Sequence, residues 1–273
     1  MDEGLKMGDF VKIEKRGRIA VLTLNHPERL NAIGEHQDCA DFVAALEDLA
    51  ADETISVGIL TGAGKAFSAG GNLQAMKDRN GIGPLDSPTA TRLNYRRGVQ
   101  RIPRAFQECE VPMIAAVNGF AIGLGNDLAC FCDIRIASDK AKFSAGFIKM
   151  GLIPGDGGAW ALPRAVGFAN AAEMLFTGET LDAEQARAMG LVSRVVPHES
   201  LMDEAMAIAE KIAANPARSL RMAKRLLTDA QNMRLNEVLE MSAAMQALAH
   251  ETADFEEAID AFLEKRPPHF TGK

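Results

Sequence analysis

Two glycine-rich segments of this 273-residue chain, 62–71 and 118–125, each follow an apolar run and precede a helical one, and a third lies at 154–158. N–H groups at a helix start have no partner within the helix and carry the positive end of its dipole. Two such turns facing each other would aim two amides at one oxygen atom, an arrangement suited to negative charge growing on a carbonyl. Glycine allows the close approach and unusual dihedrals this needs; the same residues also serve as plain turn glycines. Simpler motifs fit less well. Gly62-Ala-Gly-Lys65 lacks the earlier glycine of a phosphate loop and has Ala66 in place of the magnesium-binding hydroxyl. Gly123-Leu-Gly125 lacks the third glycine of a dinucleotide fingerprint.

Other reactive residue types form no constellation. The surroundings of Ser68 lack the GxSxG elbow of a serine hydrolase. His26, His36, His198, His250 and His269 lie outside the glycine-rich loops and read as surface or turn histidines. Cys39, Cys109, Cys130 and Cys132 form no CxxC pair and have no zinc spacing, so buried free thiols in a reducing compartment are expected. No Asp/Glu/His group has metal-ligand spacing, and no metal is expected.

The elements that must position the loops can be read from periodicity. Residues 10–15 and 19–24 form a strand pair around Arg16-Gly17-Arg18, and 35–51 carries apolar residues at helical spacing. Residues 57–61, 113–117, 134–137 and 142–144 read as strands, and 92–109 as one helix. Residues 78–88, with Gly81, Gly83, Pro84 and Pro88, read as the most loop-like and mobile stretch. Alternation of strand and helix to about residue 200 implies a mainly parallel sheet flanked by helices. Beyond it only helices are expected, near 200–214, 216–230, 232–250 and 252–265, where the methionines Met202, Met206, Met222, Met233, Met241 and Met245 read as core or interface.

With 47% hydrophobic and 25% charged residues, the chain has ample material for a core. A net charge of −7 argues against nucleic-acid binding, although a local basic cluster or helix start could still hold an anionic ligand. Residues 1–11 contain Asp2, Glu3 and Asp9 and no apolar run, so no secretory signal is expected. No stretch approaches ~18 apolar residues, so no membrane span or membrane partner is expected, and the location reads as cytoplasmic.

Phe67-Ser-Ala-Gly-Gly-Asn-Leu73 and Val117-Asn-Gly-Phe-Ala-Ile-Gly-Leu-Gly-Asn-Asp127 resemble the two signature loops of the enoyl-CoA hydratase/isomerase (crotonase) superfamily. The resemblance extends through Leu24-Asn-His-Pro-Glu-Arg-Leu-Asn-Ala-Ile33, Gly151-Leu-Ile-Pro-Gly-Asp-Gly-Gly158, the segment 177–192 and Ala261-Phe-Leu-Glu-Lys-Arg-Pro-Pro-His-Phe270, over about residues 10–273. It implies an α/β crotonase-type fold of repeated ββα units over residues 1–199, with a helical trimerisation region over 200–273. It implies a homotrimer or a dimer of trimers, an acyl-CoA thioester as substrate, and no cofactor beyond the coenzyme A of that substrate.

Carried over by position, the resemblance makes the amides of Gly71 and Leu124 the oxyanion donors. It lays Arg29, Leu30 and Ala32 along the coenzyme A arm, lines the thioester loop with Ala69 and Asn72, and sends Phe262 and Lys265 to a neighbouring subunit's coenzyme A. Of the two glutamates used by the hydratases it resembles, one aligns with Asp127 and the other with Phe147, which cannot transfer a proton. Asp156, in the third loop, is the substitute. As alternatives to catalysis, Asp127 could be a first-turn helix carboxylate and Asp156 a helix N-cap. Phe147, Trp160 and the loop 78–88 are expected to shape the acyl pocket, and Phe147 and Trp160 to raise the pKa of these carboxyls. The activity implied is hydration of an α,β-unsaturated acyl-CoA or its reverse. Double-bond isomerisation, as in phenylacetyl-CoA breakdown, and a non-catalytic acyl-CoA-binding paralogue are the alternatives.

Overall fold

The structure, a computed structural model, describes residues 8–272, so the reading of residues 1–7 as no leader lies outside the described residues. Strand β1 (Val11–Arg16) turns at Gly17 and returns as β2 (Ile19–Leu24). Helix α1 (His36–Ala51) leads into β3 (Val57–Gly62), which pairs in parallel with β2. The next parallel members are β5 (Met113–Val117), β7 (Ile134–Ser138) and β10 (Arg194–Val196), completing a six-stranded sheet.

The two glycine-rich segments hold more structure than their composition implies. Each contains a three-residue strand, β4 (Ala66–Ser68) and β6 (Phe120–Ile122), and these join β8 (Lys142–Ser144) and β9 (Leu181–Asp182) in a second, four-stranded sheet. Strands this short bury little of their own, so periodicity cannot reveal them. They exist because β3, β5 and β7 each hand the chain to a neighbouring second-sheet strand. The repeating unit is thus a long strand, a short strand and then a helical segment: β3–β4–α2 (Leu73–Lys77), then β5–β6–α5 (Leu124–Phe131).

The expected helix over 92–109 is two helices, α3 (Pro88–Arg97) and α4 (Arg101–Glu108), broken at Gly98. Gly98 has φ −103° and ψ −112°, outside the helical region, and a methyl there would crowd His36 and Ile82. Residues 78–88 are not free of the core: Ile82 is buried, its N–H donates to the Gly34 carbonyl, and the buried Asn94 amide donates to the Gly81 and Gly83 carbonyls. Pro88 opens α3, with the Ser87 hydroxyl accepting the Ala90 N–H as a cap.

Residues from β2, α1, α4, α5 and the helices α6 (Gly158–Val166), α7 (Phe168–Thr177) and α8 (Ala183–Ala188) meet in the larger core. The opposite face of the large sheet, with Ile19, Val21, Val57, Ile59, Ile114 and Ile136, is covered by α9 (Leu201–Ala213) through Leu201, Ala205, Ile208 and Ala209. A parallel sheet covered on both sides explains why its strands read as continuous apolar runs. Each large apolar side chain fully buried there contributes about 1.5–3 kcal/mol.

The last helices are α10 (Ala217–Ala230), α11 (Leu235–His250) and α12 (Ala253–Glu264). Two cations pin α10. Arg221 donates to the carbonyls of Ala50 and Asp52 at the α1 C-terminus, both at 2.7 Å, and the buried Lys224 donates to Val111 O and pairs with Asp133. By contrast α11 has no buried residue, and Leu235, Leu239, Leu248, Ile259, Phe262 and Leu263 are exposed on α11 and α12. All four cysteines are free thiols; Cys39, Cys109 and Cys132 are buried as expected, whereas Cys130 is half-buried. No helix among the described residues is long and apolar enough to cross a membrane.

Candidate active site

The turn after β2 is stitched to the first glycine-rich loop. Leu30 and Asn31 take left-handed φ values, and the buried Asn31 amide donates to the carbonyls of Ala63, Ala66 and Phe67. The Ser68 hydroxyl donates back to Asn31 O, and Ala69 N donates to Leu30 O. Further along, Ile33 N donates to Gly70 O and Asn72 N to Ile33 O. That is a parallel bridge centred on Gly71, so the N–H of Gly71 points away from it.

Across from Gly71 stands the start of α5. Its cap, Gly123, has φ +54° and ψ −120°, a conformation that requires glycine, and Leu124 is the first helical residue. Neither Gly71 N–H nor Leu124 N–H has a hydrogen-bond partner among the described residues. Two further glycines let the loops close on each other. A methyl at Gly70 would overlap the Ile122 carbonyl and crowd Leu124 N, and one at Gly125 would overlap the Ser68 carbonyl. The two loops therefore face each other.

Gly71 and Leu124 both line a narrow cavity of about 40 Å³, together with Phe147, Tyr95 and Asp156. Asp156 and Asp127 are the buried acids of the site, with 5% and 1% exposure. Asp156 reaches the cavity wall; Asp127, in the first turn of α5, stands behind it and is not among the lining residues. The Asp127 carboxyl fits only because residue 158 is glycine, since a methyl there would overlap it. Asp156 is not the cap of α6: that position belongs to Gly157 and has no side-chain cap bond.

One oxygen of each acid, Asp127 Oδ2 and Asp156 Oδ1, is buried without a partner. Burial pushes the Asp127 carboxyl well above the usual carboxylate range, and the neighbouring Asp156 carboxylate pushes it further. Burial also raises Asp156, against the lowering pull of the Asp127 hydrogen bond and the backbone N–H groups of Asp156 and Gly158. The two carboxyls are hydrogen-bonded to each other, which requires a proton between them. The cavity thus brings together two amides without a partner among the described residues and the buried carboxyl of Asp156, with Asp127 behind it.

Other expected site residues fall into distinct groups. Phe147 stands beside Gly123 and walls the cavity. Leu30, Ala32 and Ala69 lie in the stitched turn and loop. The Arg29 guanidinium is already paired with Asp38 at 2.7 Å and lies over the Phe10 ring, so it braces the turn. The Asn72 side chain caps α2, accepting the N–H groups of Gln74 and Ala75. Trp160 does not wall this cavity. Its ring stacks under the Arg164 guanidinium at 4.1 Å and lines a groove with Pro103 and Phe131, because the turn of α6 after Asp156 carries it to the other side. Phe262, 82% exposed, and Lys265, at the left-handed end of α12, are not brought to the cavity within one chain.

Ile82, from the segment 78–88 expected to shape the pocket, lines it; residues not anticipated are Met76, Tyr95, Val99, Leu152 and Ile153, which complete the walls. They are single apolar positions on α2, α3 and the connecting loops. Only Tyr95, the one tyrosine of the chain, carries a signal in the sequence.

The profile of the enoyl-CoA hydratase/isomerase family matches residues 14–273. The chain belongs to that family. The 1,2-epoxyphenylacetyl-CoA isomerase of Escherichia coli K12 is 38% identical, aligned over 98% of this chain and 100% of the relative. The 2,3-dehydroadipyl-CoA hydratase of the same organism is 35% identical over 96% of this chain and 98% of its own length. Among solved structures, the Bacillus anthracis enoyl-CoA hydratase superposes with a TM-score of 0.89 at 30% identity, over 97% of this chain and all of the other. The family member described here is an enzyme of the crotonase fold, and relatives with hydratase and isomerase names lie at similar identity.

Proposed function

We propose that this enzyme adds water reversibly across the double bond of an α,β-unsaturated acyl-CoA, through an enolate held by the amides of Gly71 and Leu124. The observation that carries the proposal is the cavity itself, where two unpartnered amides and one buried carboxylate meet. Asp156 takes a proton from water as the water oxygen bonds to the β-carbon. The π electrons move onto the thioester oxygen, facing the two amides, and Asp156 then returns the proton to the α-carbon. Asp127 keeps its proton and positions Asp156 through it. The turn at Leu30, Ala32 and Ala69 runs along the coenzyme A arm of the substrate, which is the only cofactor-like group required. Residues 200–273 form the assembly region of a cytoplasmic homotrimer or dimer of trimers, in which Phe262 and Lys265 meet a neighbour's coenzyme A.

One observation favours a second reading. Since Asp156 alone reaches the cavity, it could carry a proton between the α- and γ-carbons of a 3-enoyl-CoA and shift the double bond instead. Incubating the enzyme separately with trans-2- and cis-3-hexenoyl-CoA separates the two. Loss of the conjugated enoyl absorbance from the first, abolished in Asp156→Asn, supports hydration. Gain of that absorbance from the second, with the first inert, supports isomerisation. Tight binding without reaction of either would identify a non-catalytic paralogue.

A further inference from the structure

The cavity between the two amides shares part of its wall with a neighbour. Tyr95, Leu152, Ile153 and Gly155 also line a second, larger cavity of about 540 Å³, which adjoins the first and is walled beyond them by Thr91, Arg92, Arg96 and Gln100. The Gln100 amide is spent on the Gly155 carbonyl, to which it donates at 2.8 Å. Gly155 leaves room for Tyr95, which a methyl there would approach to 3.1 Å.

Arg92 and Arg96 are spaced i, i+4 on α3, so their side chains emerge from one face, beside Tyr95. Neither guanidinium takes part in an ion pair among the described residues, and no acidic side chain lines this cavity. Asp156 lines the smaller cavity, on the other side of the shared wall. A thioester oxygen held at Gly71 and Leu124 with Asp156 beside the reacting carbons directs the rest of the acyl chain toward that wall. Two uncompensated guanidiniums then face its far end. Guanidinium groups match carboxylates in geometry and charge.

We infer that Arg92 and Arg96 select acyl-CoA substrates whose far end carries a carboxylate. This rests on the proposed acyl-CoA chemistry at the Asp156 cavity and names the substrate class for it. The alternative occupants of the larger cavity are a plain alkyl chain or an aromatic ring, for which exposed arginines supply no preference.

The test compares two six-carbon substrates, trans-2-hexenoyl-CoA and its counterpart ending in a carboxylate, with wild type and the Arg92→Gln/Arg96→Gln double variant. The expected wild-type result is a higher kcat/KM for the dicarboxylic thioester, declining toward that for hexenoyl-CoA as salt is raised. In the double variant that preference falls by about tenfold or more, through KM, because a hydrogen-bonded ion pair is lost. Hexenoyl-CoA turnover reports on the fold and the chemistry in the same samples. Hexenoyl-CoA processed with no preference for the carboxylate in wild type, or a preference unchanged in the double variant, would overturn the inference while leaving the chemistry intact. Failure to process or isomerise either substrate would instead overturn the reading of the Asp156 cavity.

Discussion

At the residue scale, the proposed chemistry turns on the buried pair Asp127 and Asp156. The Asp127 hydrogen bond lowers the pKa of Asp156, so removing the donor must raise it. Asp127→Leu is expected to move the acidic limb of the kcat/KM profile to higher pH. Asp127→Asn, which still donates, should leave the limb nearer to wild type; equal shifts in both would contradict the assigned proton. The same pair has a consequence for stability. Asp127 ionises less readily folded than unfolded, so its contribution is most favourable below the unfolded pKa of about 3.8 and is lost as pH rises toward the folded value. Asp127→Asn should therefore raise stability at neutral pH, on the order of 1 kcal/mol in urea unfolding, with the gain vanishing in acid. Asp127 and Phe147 were readable as candidates because they align with motif positions of a recognisable pattern, and Asp156 because it lies in the third glycine-rich loop. Trp160 was not, because an aromatic near a motif says nothing of which way its helix turns.

At the element scale, the site depends on two loops held closely enough for their amides to face one cavity. Asn31 ties three carbonyls of the first loop; Ala66 O also accepts from the Asn118 amide, but no other side chain among the described hydrogen bonds donates to Ala63 O or Phe67 O. Asn31→Ala is expected to cost about 1–3 kcal/mol, because it leaves buried carbonyls unpaired, and to lower turnover further by loosening Gly71. Thermal unfolding and steady-state kinetics on one preparation would check both; a stable variant with full activity would contradict the role. Gly70 has φ +84° and no room for a methyl, so Gly70→Ala should cost at least ~1 kcal/mol and displace Leu124. The parallel sheet and the terminal helices were legible because long elements carry periodicity. The second sheet was not, since strands of three residues such as β4 and β6 carry none. The break of 92–109 at Gly98 was missed for a similar reason: one interior glycine is tolerated in most helices, and only the packing against His36 and Ile82 decides.

At the scale of the whole molecule, the chain leaves α11 and α12 with apolar faces that its own core does not cover. Exposed Leu235, Leu239, Leu248, Phe262 and Leu263 on adjoining helices make a surface that a monomer would not ordinarily present to water. In sedimentation, the wild type is expected to run as a trimer or a multiple of it. Phe262→Asp combined with Leu263→Asp should release smaller species and raise KM for the acyl-CoA, with little change in the far-ultraviolet dichroism. A wild-type monomer would contradict the assignment of this region. The helices themselves were readable in the sequence, but what they pack against was not, because a partner's contribution leaves no mark on the periodicity of one chain.

The proposed polarisation of a thioester carbonyl by Gly71 and Leu124, beside Asp156, leaves a vibrational signature. It is tested most directly by isotope-edited infrared spectroscopy of a carbonyl-labelled enoyl-CoA bound to Asp156→Asn, which should bind the thioester without consuming it. The expected carbonyl stretch is shifted to lower frequency than in water, with a smaller shift in Gly70→Ala. A bound thioester whose carbonyl stretch matches that of the free substrate would contradict the proposed polarisation.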